Sequence, residues 1–227
     1  MKWSVPITLA GAALATAAFA KTVRPWYSHW GATDAELMRE MPLDERIPHP
    51  RLITTRAITI NAPPEAIWPW LAQMGDPPRA GYYSFTRLER LAGLRITNSG
   101  EMLPEFQTLE VGQALDRNGT MVVQAVMPGR FLVLGPPASV EQVKATWAFV
   151  LYPIDGRSTR LVTRVRANWA YDEMLRSTPV WAWPVYLMIE PGAFIMEYGM
   201  FHEIKRLAEG LAARRQNADQ ATVATAA

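Results

Sequence analysis

Apolar residues in 189–215 recur at the three- and four-residue spacing of an amphipathic helix, with Phe194, Met200, Phe201, Ile204, Leu207, Ala208 and Leu211 on one face. Glu197 projects into that same face, between Phe201 and Ile204. An unpaired charge in an apolar stripe is costly to bury. A neighbouring cation, a wet cavity or protonation therefore has to accommodate it. The pattern predicts a helix that closes over a chamber and does not seal a dry core.

Upstream the period changes. Residues 52–60 are rich in Thr and Ile and read as a strand. Asn61-Ala62-Pro63-Pro64-Glu65 then opens a helix that carries Ile67, Trp70, Leu71 and Met74 on one side and should bend at Pro69. A second helix is predicted from Ser84 to Leu91, stopped by Gly93, and 95–111 read as irregular. From there to residue 168 the period is two. Residues 113–117, 120–126, 131–134, 145–152 and 159–168 are strand candidates, joined at Asn118-Gly119, Pro128-Gly129 and Asp155-Gly156. Connections this short predict an antiparallel meander. In its last strand Arg160, Arg164 and Arg166 point one way and Leu161, Thr163 and Val165 the other, which predicts one solvated face and one core face.

The N-terminus obeys a different rule. Trp3 to Ala20 holds no charge, comes after Lys2, and ends in Ala18-Phe19-Ala20. Residues 1–24 are therefore either a cleaved export signal or an uncleaved membrane anchor. Lys21, Arg24, Trp26, Tyr27 and Trp30 supply the cationic and aromatic flank of a membrane interface. Thr33 and Glu36 form a capping box for a short helix, and Pro42, Pro48 and Pro50 break the stretch after it. Residues 25–50 read as a juxtamembrane linker, 51–213 as the globular domain, and 214–227 as a small, polar, disordered tail.

The 227 residues are 49% hydrophobic and 19% charged, enough for a real core and one domain with appendages. Net charge is +2 and no run of Lys and Arg tracks a groove, so nucleic acid is not an expected partner. The absence of Cys excludes disulfides and thiol catalysis.

Residues 56–71 (RAITINAPPEAIWPWL), Gly81-Tyr82-Tyr83-Ser84-Phe85, and Thr146-Trp147-Ala148-Phe149 ahead of an Asp-Gly hairpin carry a family likeness. Over about residues 51–212 the chain resembles the START / polyketide-cyclase (SRPBCC) superfamily. The resemblance implies an α+β helix-grip fold: a curved antiparallel sheet wrapped around a long C-terminal helix, with two short helices after the first strand and a cavity between sheet and helix. Members include lipid carriers, hormone receptors and ring-closing enzymes, so fold alone does not select a function.

No catalytic motif is present. No serine sits in a Gly-x-Ser-x-Gly elbow, and His29, His49 and His202 are scattered without ligand spacing, so no metal and no cofactor is expected. Asn118-Gly119-Thr120 matches a glycosylation sequon whose Asn-Gly is already explained by a turn. Residues 177–189 are uncharged and too short to span a bilayer; Trp181, Trp183 and Tyr186 suit a lid, an interfacial contact or packing on the sheet rim. Tyr82, Tyr83, Trp147, Glu197 and Phe201 are the candidate cavity residues. Glu197 has two readings: a carboxylate paired with an Arg at the cavity mouth, or a ligand contact or general acid within it. The expected function is binding or transfer of a hydrophobic small molecule or lipid near a membrane. The alternatives are a cyclase- or dehydratase-like enzyme using Glu197 and a Tyr, and a protein-interaction module with a filled cavity.

Overall fold

The computed structural model describes residues 19–85, 98–137, 144–169, 179 and 189–226. The core of the export signal or anchor, most of the predicted second helix and nearly all of residues 177–188, with Trp181, Trp183 and Tyr186, lie outside these residues. Among the described residues no helix is long and apolar enough to cross a membrane.

Five strands form one antiparallel sheet: β1 (Leu52–Ile60), β2 (Val122–Met127), β3 (Phe131–Gly135), β4 (Ala145–Pro153) and β5 (Thr159–Ala167), in the order β1-β5-β4-β3-β2. The curved meander from β2 to β5 is the one predicted, with Met127 paired to Phe131 across the Pro128-Gly129 turn. The predicted strand at 113–117 is absent. One bridge, Ala114 to Val122, remains, flanked by bonds from the Leu115 amide to the Met121 carbonyl (2.8 Å) and from the Val123 amide to the Gln113 carbonyl (2.9 Å), and the Asn118-Gly119 turn is closed by Asp116, whose carboxylate accepts from Thr120 Oγ1 (2.6 Å) and the Met121 amide (2.8 Å). An Asp that caps its own turn competes with a ladder for those amides.

Helix α1 (Arg24–Ser28) continues a π-turn from Phe19, α2 (Asp34–Met38) carries the predicted Thr33/Glu36 capping box, and α3 (Pro64–Ala72) comes after β1 with Pro69 inside it. The C-terminal helix α4 runs from Ile189 to Ala226, so residues 214–226, predicted as a disordered tail, are helical. Met200, Phe201, Ile204, Leu207 and Ala208 of its stripe are buried with Ile60, Leu134, Phe149 and Leu161 on the inner face of the sheet.

The outer face is not solvated as the arginine alternation predicted. Residues 32–48, part of the stretch that the prolines mark as linker, lie along it. Met41 packs on Ala57, Val133, Ala148, Val150 and Val162. Gly31 has φ +70°, and a Cβ there would sit 2.1 Å from the Ala57 carbonyl oxygen, so glycine permits the close crossing over β1. The arginines supply the polar half of this layer. Arg160 pairs with Glu36 (2.7 Å), Arg164 with Asp44 (2.6 Å), and Arg166 donates to the Ile47 carbonyl (2.7 Å). A solvated row of guanidinia would need no such acceptors.

Burial alone would push the Glu36 carboxyl up. The Arg160 guanidinium and the Thr33 amide and hydroxyl outweigh it and hold the group below the ordinary glutamate value. A depressed carboxyl contributes stability above its unfolded-state pKa and loses it as pH falls through the folded value. Stability is therefore expected to drop on acidification below about pH 4. Glu36→Gln should lower stability at neutral pH and flatten that acid limb, as read by urea unfolding across pH.

Candidate functional site

The inner face of the sheet and the first turns of α4 do not meet along their whole length. At one end they bound a half-open cavity of about 440 Å³. Leu52, Thr54 and Arg56 of β1 and Val165 of β5 form its floor, and Trp147 of β4 one side. Glu190, Ala193, Met196, Glu197 and Met200 of α4 form its roof. Asp76, Tyr82, Ser84, Asp116, Thr120 and Met121 close it from the connecting loops. Alternation explains the floor: Leu52, Thr54 and Arg56 share a face of β1 by the period of two, and Thr163 and Val165 share the matching face of β5.

Glu197 lies inside, buried, and its apparent misfit is resolved by a partner on the sheet. Its carboxylate accepts from Arg56 Nη1 and from Thr163 Oγ1 (2.5 Å). Arg56 is buried too; its Nε donates to the Tyr27 carbonyl (2.7 Å) and its guanidinium lies over the Phe194 ring, 5.3 Å from the centroid. Of the two readings of Glu197, the arginine-paired carboxylate is the one the geometry realises, with the pair set in the floor and roof and not at the mouth. The three groups sit on β1, β5 and α4, so the cluster clamps the helix over the sheet at the cavity's inner end.

The other candidates divide. Tyr82 and Trp147 line the cavity beside Glu197. Burial, seconded by the Asp76 and Asp116 carboxylates, pushes the Tyr82 phenol well above its ordinary pKa, so it stays protonated. Tyr83 turns away into the packed core against Trp70, its backbone in the left-handed region (φ 58°) and pinned by its amide's bond to Asn98 Oδ1 (2.7 Å). Phe201 also belongs to the solid part of the core, stacked on Trp30. Arg56, Thr163, Met121, Met196 and Met200 were not among the sequence candidates. Arg56 could have been found: it is the one charge on an otherwise apolar and hydroxyl face of its strand, as Glu197 is on its helix.

At the rim Arg24 of α1 pairs with Glu190 (3.1 Å), and Trp26 meets Phe194 edge-on at 5.4 Å. The N-terminal segment thus reaches the domain beside the cavity. His29, His49 and His202 are exposed and apart, and among the described residues no group of acidic or histidine side chains is arranged to hold a metal ion.

No protein-family model matches the chain, and no curated protein does. Among solved structures it is similar to a Mesorhizobium loti protein (17% identity, TM-score 0.38, 69% of this chain and 96% of that one). It is also similar to a polyketide-cyclase-like protein of Corynebacterium glutamicum (13%, 0.39, 69% and 91%). A third is the di-domain ARO/CYC StfQ of the steffimycin biosynthetic pathway (11%, 0.36, 77% of this chain and 55% of that one). This chain's own strand order, with its long terminal helix held in a curved antiparallel sheet, is the helix-grip arrangement that the resemblance to the START / polyketide-cyclase superfamily implied.

Proposed function

We propose that this protein binds a hydrophobic small molecule or lipid in the cavity between its sheet and α4, and exchanges it with a membrane surface. One observation carries the reading: a half-open hollow of about 440 Å³ lies between sheet and helix, where Leu52, Met121, Trp147, Val165, Met196 and Met200 offer apolar wall, and the Glu197 carboxylate within it is closed on Arg56. That volume lies within the roughly 300–1,000 Å³ of small-molecule sites.

The membrane half of the proposal rests on the uncharged run from Trp3 to Ala20 and on where it enters the domain. Arg24 touches Glu190, a cavity-lining residue, and Trp26 beside it is 61% exposed, an aromatic left free for an interface. A chain tethered through residues 1–18 holds the cavity rim next to the bilayer. Cleavage near Lys21 would instead release the same domain as an exported carrier.

Native mass spectrometry and solvent extraction of the purified protein test the reading. An apolar compound is expected to co-purify. Met196→Trp, which fills the hollow from the roof, should abolish that retention while the protein stays folded. Retention unaffected by Met196→Trp would remove the cavity from the argument.

A further inference from the structure

The first turns of α4 are apolar on the outward side as well as the inward one. Opposite the stripe that meets the sheet, Pro191, Gly192, Ile195, Tyr198, Gly199 and His202 share one side by the helical period, and no charge stands on that side before Glu203. A helix that lays one face on a core ordinarily turns a charged face to water. Here Ile195 and Tyr198 are exposed instead. Neighbouring elements extend the patch. The Phe85 ring lies on Gly199, where a Cβ would come within 2.8 Å of it, so glycine admits the ring one turn beyond Ile195. Phe194 links Tyr198 to Trp26 through ring contacts of 6.1 and 5.4 Å. Phe85, Trp26 and Val23, which precedes Trp26 by one turn, are exposed too. A contiguous apolar surface of this kind marks a place of contact.

The chain that arrives at the patch says what the contact is. Trp3 to Ala20 carries no charge and ends just before Val23. Lys21 and Arg24 then stand exposed beside the rings, the pairing of cation and amphipathic aromatic that suits a bilayer surface. A second uncharged run in the sequence, residues 177–189, leads into Glu190, the residue that Arg24 pairs with (3.1 Å). A second copy of the chain could cover an apolar face, but it would leave both runs and the adjoining cations unexplained.

We propose that the outward face of α4 at Ile195 and Tyr198, together with Val23, Trp26 and Phe85, docks on the lipid surface of a bilayer. The proposal rests on the membrane half of the function proposed above and names the face that meets the membrane. Ala193 and Met196 of the same turns roof the hollow, so the docked face stands one helix diameter, roughly 10 Å, from it.

The chain has no Cys, so one nitroxide label can be placed at a chosen position. Ile195→Cys tests the face. Met38→Cys, at an exposed apolar position of α2 in the layer on the sheet's outer side, is the control. Both side chains are exposed, so neither variant should shift the melting midpoint. The full-length protein is reconstituted into vesicles of phosphatidylcholine and phosphatidylglycerol, and collision of each label with oxygen and with a water-soluble nickel chelate gives its depth. The Ile195→Cys label is expected about 5–10 Å below the phosphates, and the Met38→Cys label in water. An Ile195→Cys label as open to the nickel chelate as the Met38→Cys label overturns the proposal. So does spin–spin broadening at Ile195→Cys that vanishes on mixing with unlabelled protein, which assigns the face to a second copy of the chain. An immersed label on protein that co-purifies with no apolar compound upholds the docking face and removes the cavity reading. A co-purified compound with a label in water does the reverse.

Discussion

Glu197→Leu is expected to destabilise the protein by about 3–5 kcal/mol, a fall in melting temperature on the order of 10 °C. The side chains of Glu197 and Arg56 retain only 6% and 4% of their exposure. Removing the carboxylate leaves a guanidinium sealed between β1 and α4, with a single remaining bond to the Tyr27 carbonyl. The cost is that of an uncompensated buried charge, not that of a lost attraction. The double substitution Arg56→Met/Glu197→Leu takes away both charges and keeps similar volume. It should recover most of the loss, because buried ion pairs add little over a well-packed apolar pair. Thr163 then keeps a hydroxyl without its acceptor, so recovery is not complete. Thermal and urea unfolding of the two single variants and the double variant form the cycle. A Glu197→Leu protein as stable as the natural one would mean that this pair is not buried in solution. A double variant no better than the single would mean that the carboxylate does something besides answer Arg56.

The same pair explains how a chamber survives in the middle of a domain. A helix with a wholly apolar stripe would settle onto the sheet along its full length. Here Phe201, Ile204, Leu207 and Ala208 do so, and from Glu197 back toward Glu190 the contact is replaced by one ion pair and a cavity. Ion pairs have a fixed reach, so the clamp sets a spacing that dispersion alone would close. The N-terminal segment is tied to the same clamp through the Tyr27 carbonyl and through Arg24 to Glu190. A displacement of α1 would thus be felt first at the cavity rim.

What could be read from the chain was what repeats. The period-two meander from residue 122 on, with its Pro-Gly and Asp-Gly turns, and the stripe of the terminal helix are local, periodic signals, and the structure has them in place. Glu197 stood out because it broke a period. Its partner did not, although Arg56 breaks the alternation of β1 in the same way; the two lie 141 positions apart, and nothing local links them. The outer layer was misread for a different reason. Arg160, Arg164 and Arg166 look like a solvated row, and residues 25–50 look like a linker broken by prolines. What joins them is largely backbone carbonyls accepting from guanidinia. A carbonyl acceptor is present at every position of every sequence, so it leaves no mark in composition or spacing. Tyr83 and Phe201 were placed in the cavity because aromatics suit both a core and a pocket, and only the path of the loop after α3 and the facing of α4 separate those roles.

Arg164→Met is the second substitution expected to have a large effect, about 3 kcal/mol or more, and it should act on one layer first. Arg164 is 3% exposed and lies at the centre of the outer face. Its guanidinium donates to Thr55 Oγ1 (2.9 Å) on the neighbouring strand, to Asp44 Oδ2 (2.6 Å), and to the carbonyls of Glu36 (2.8 Å), Leu37 (3.0 Å) and Arg39 (2.7 Å). Three of these acceptors belong to the C-terminal end of α2 and the residue beyond it, where helix carbonyls have no internal partner and a cation is favoured. Methionine matches the stem but offers none of these donors, so the carbonyls and the Asp44 carboxylate must either stay buried unmet or swing out to water. The second course peels residues 34–48 from the sheet. It exposes Met41, Val150 and Val162, an apolar strip that the rest of the domain cannot cover. Hydrogen exchange should therefore speed up in 34–48 under conditions where β4 and β5 remain protected, and limited proteolysis should cut first between Glu36 and Ile47. Arg164→Lys is the informative control. One ammonium can answer Asp44 but not the whole set of acceptors around the guanidinium fork, so it should fall between the two. Uniform loss of protection across sheet and segment together would show that the outer layer is not a separable unit. No loss at all would show that the guanidinium's many bonds merely replace those it makes with water.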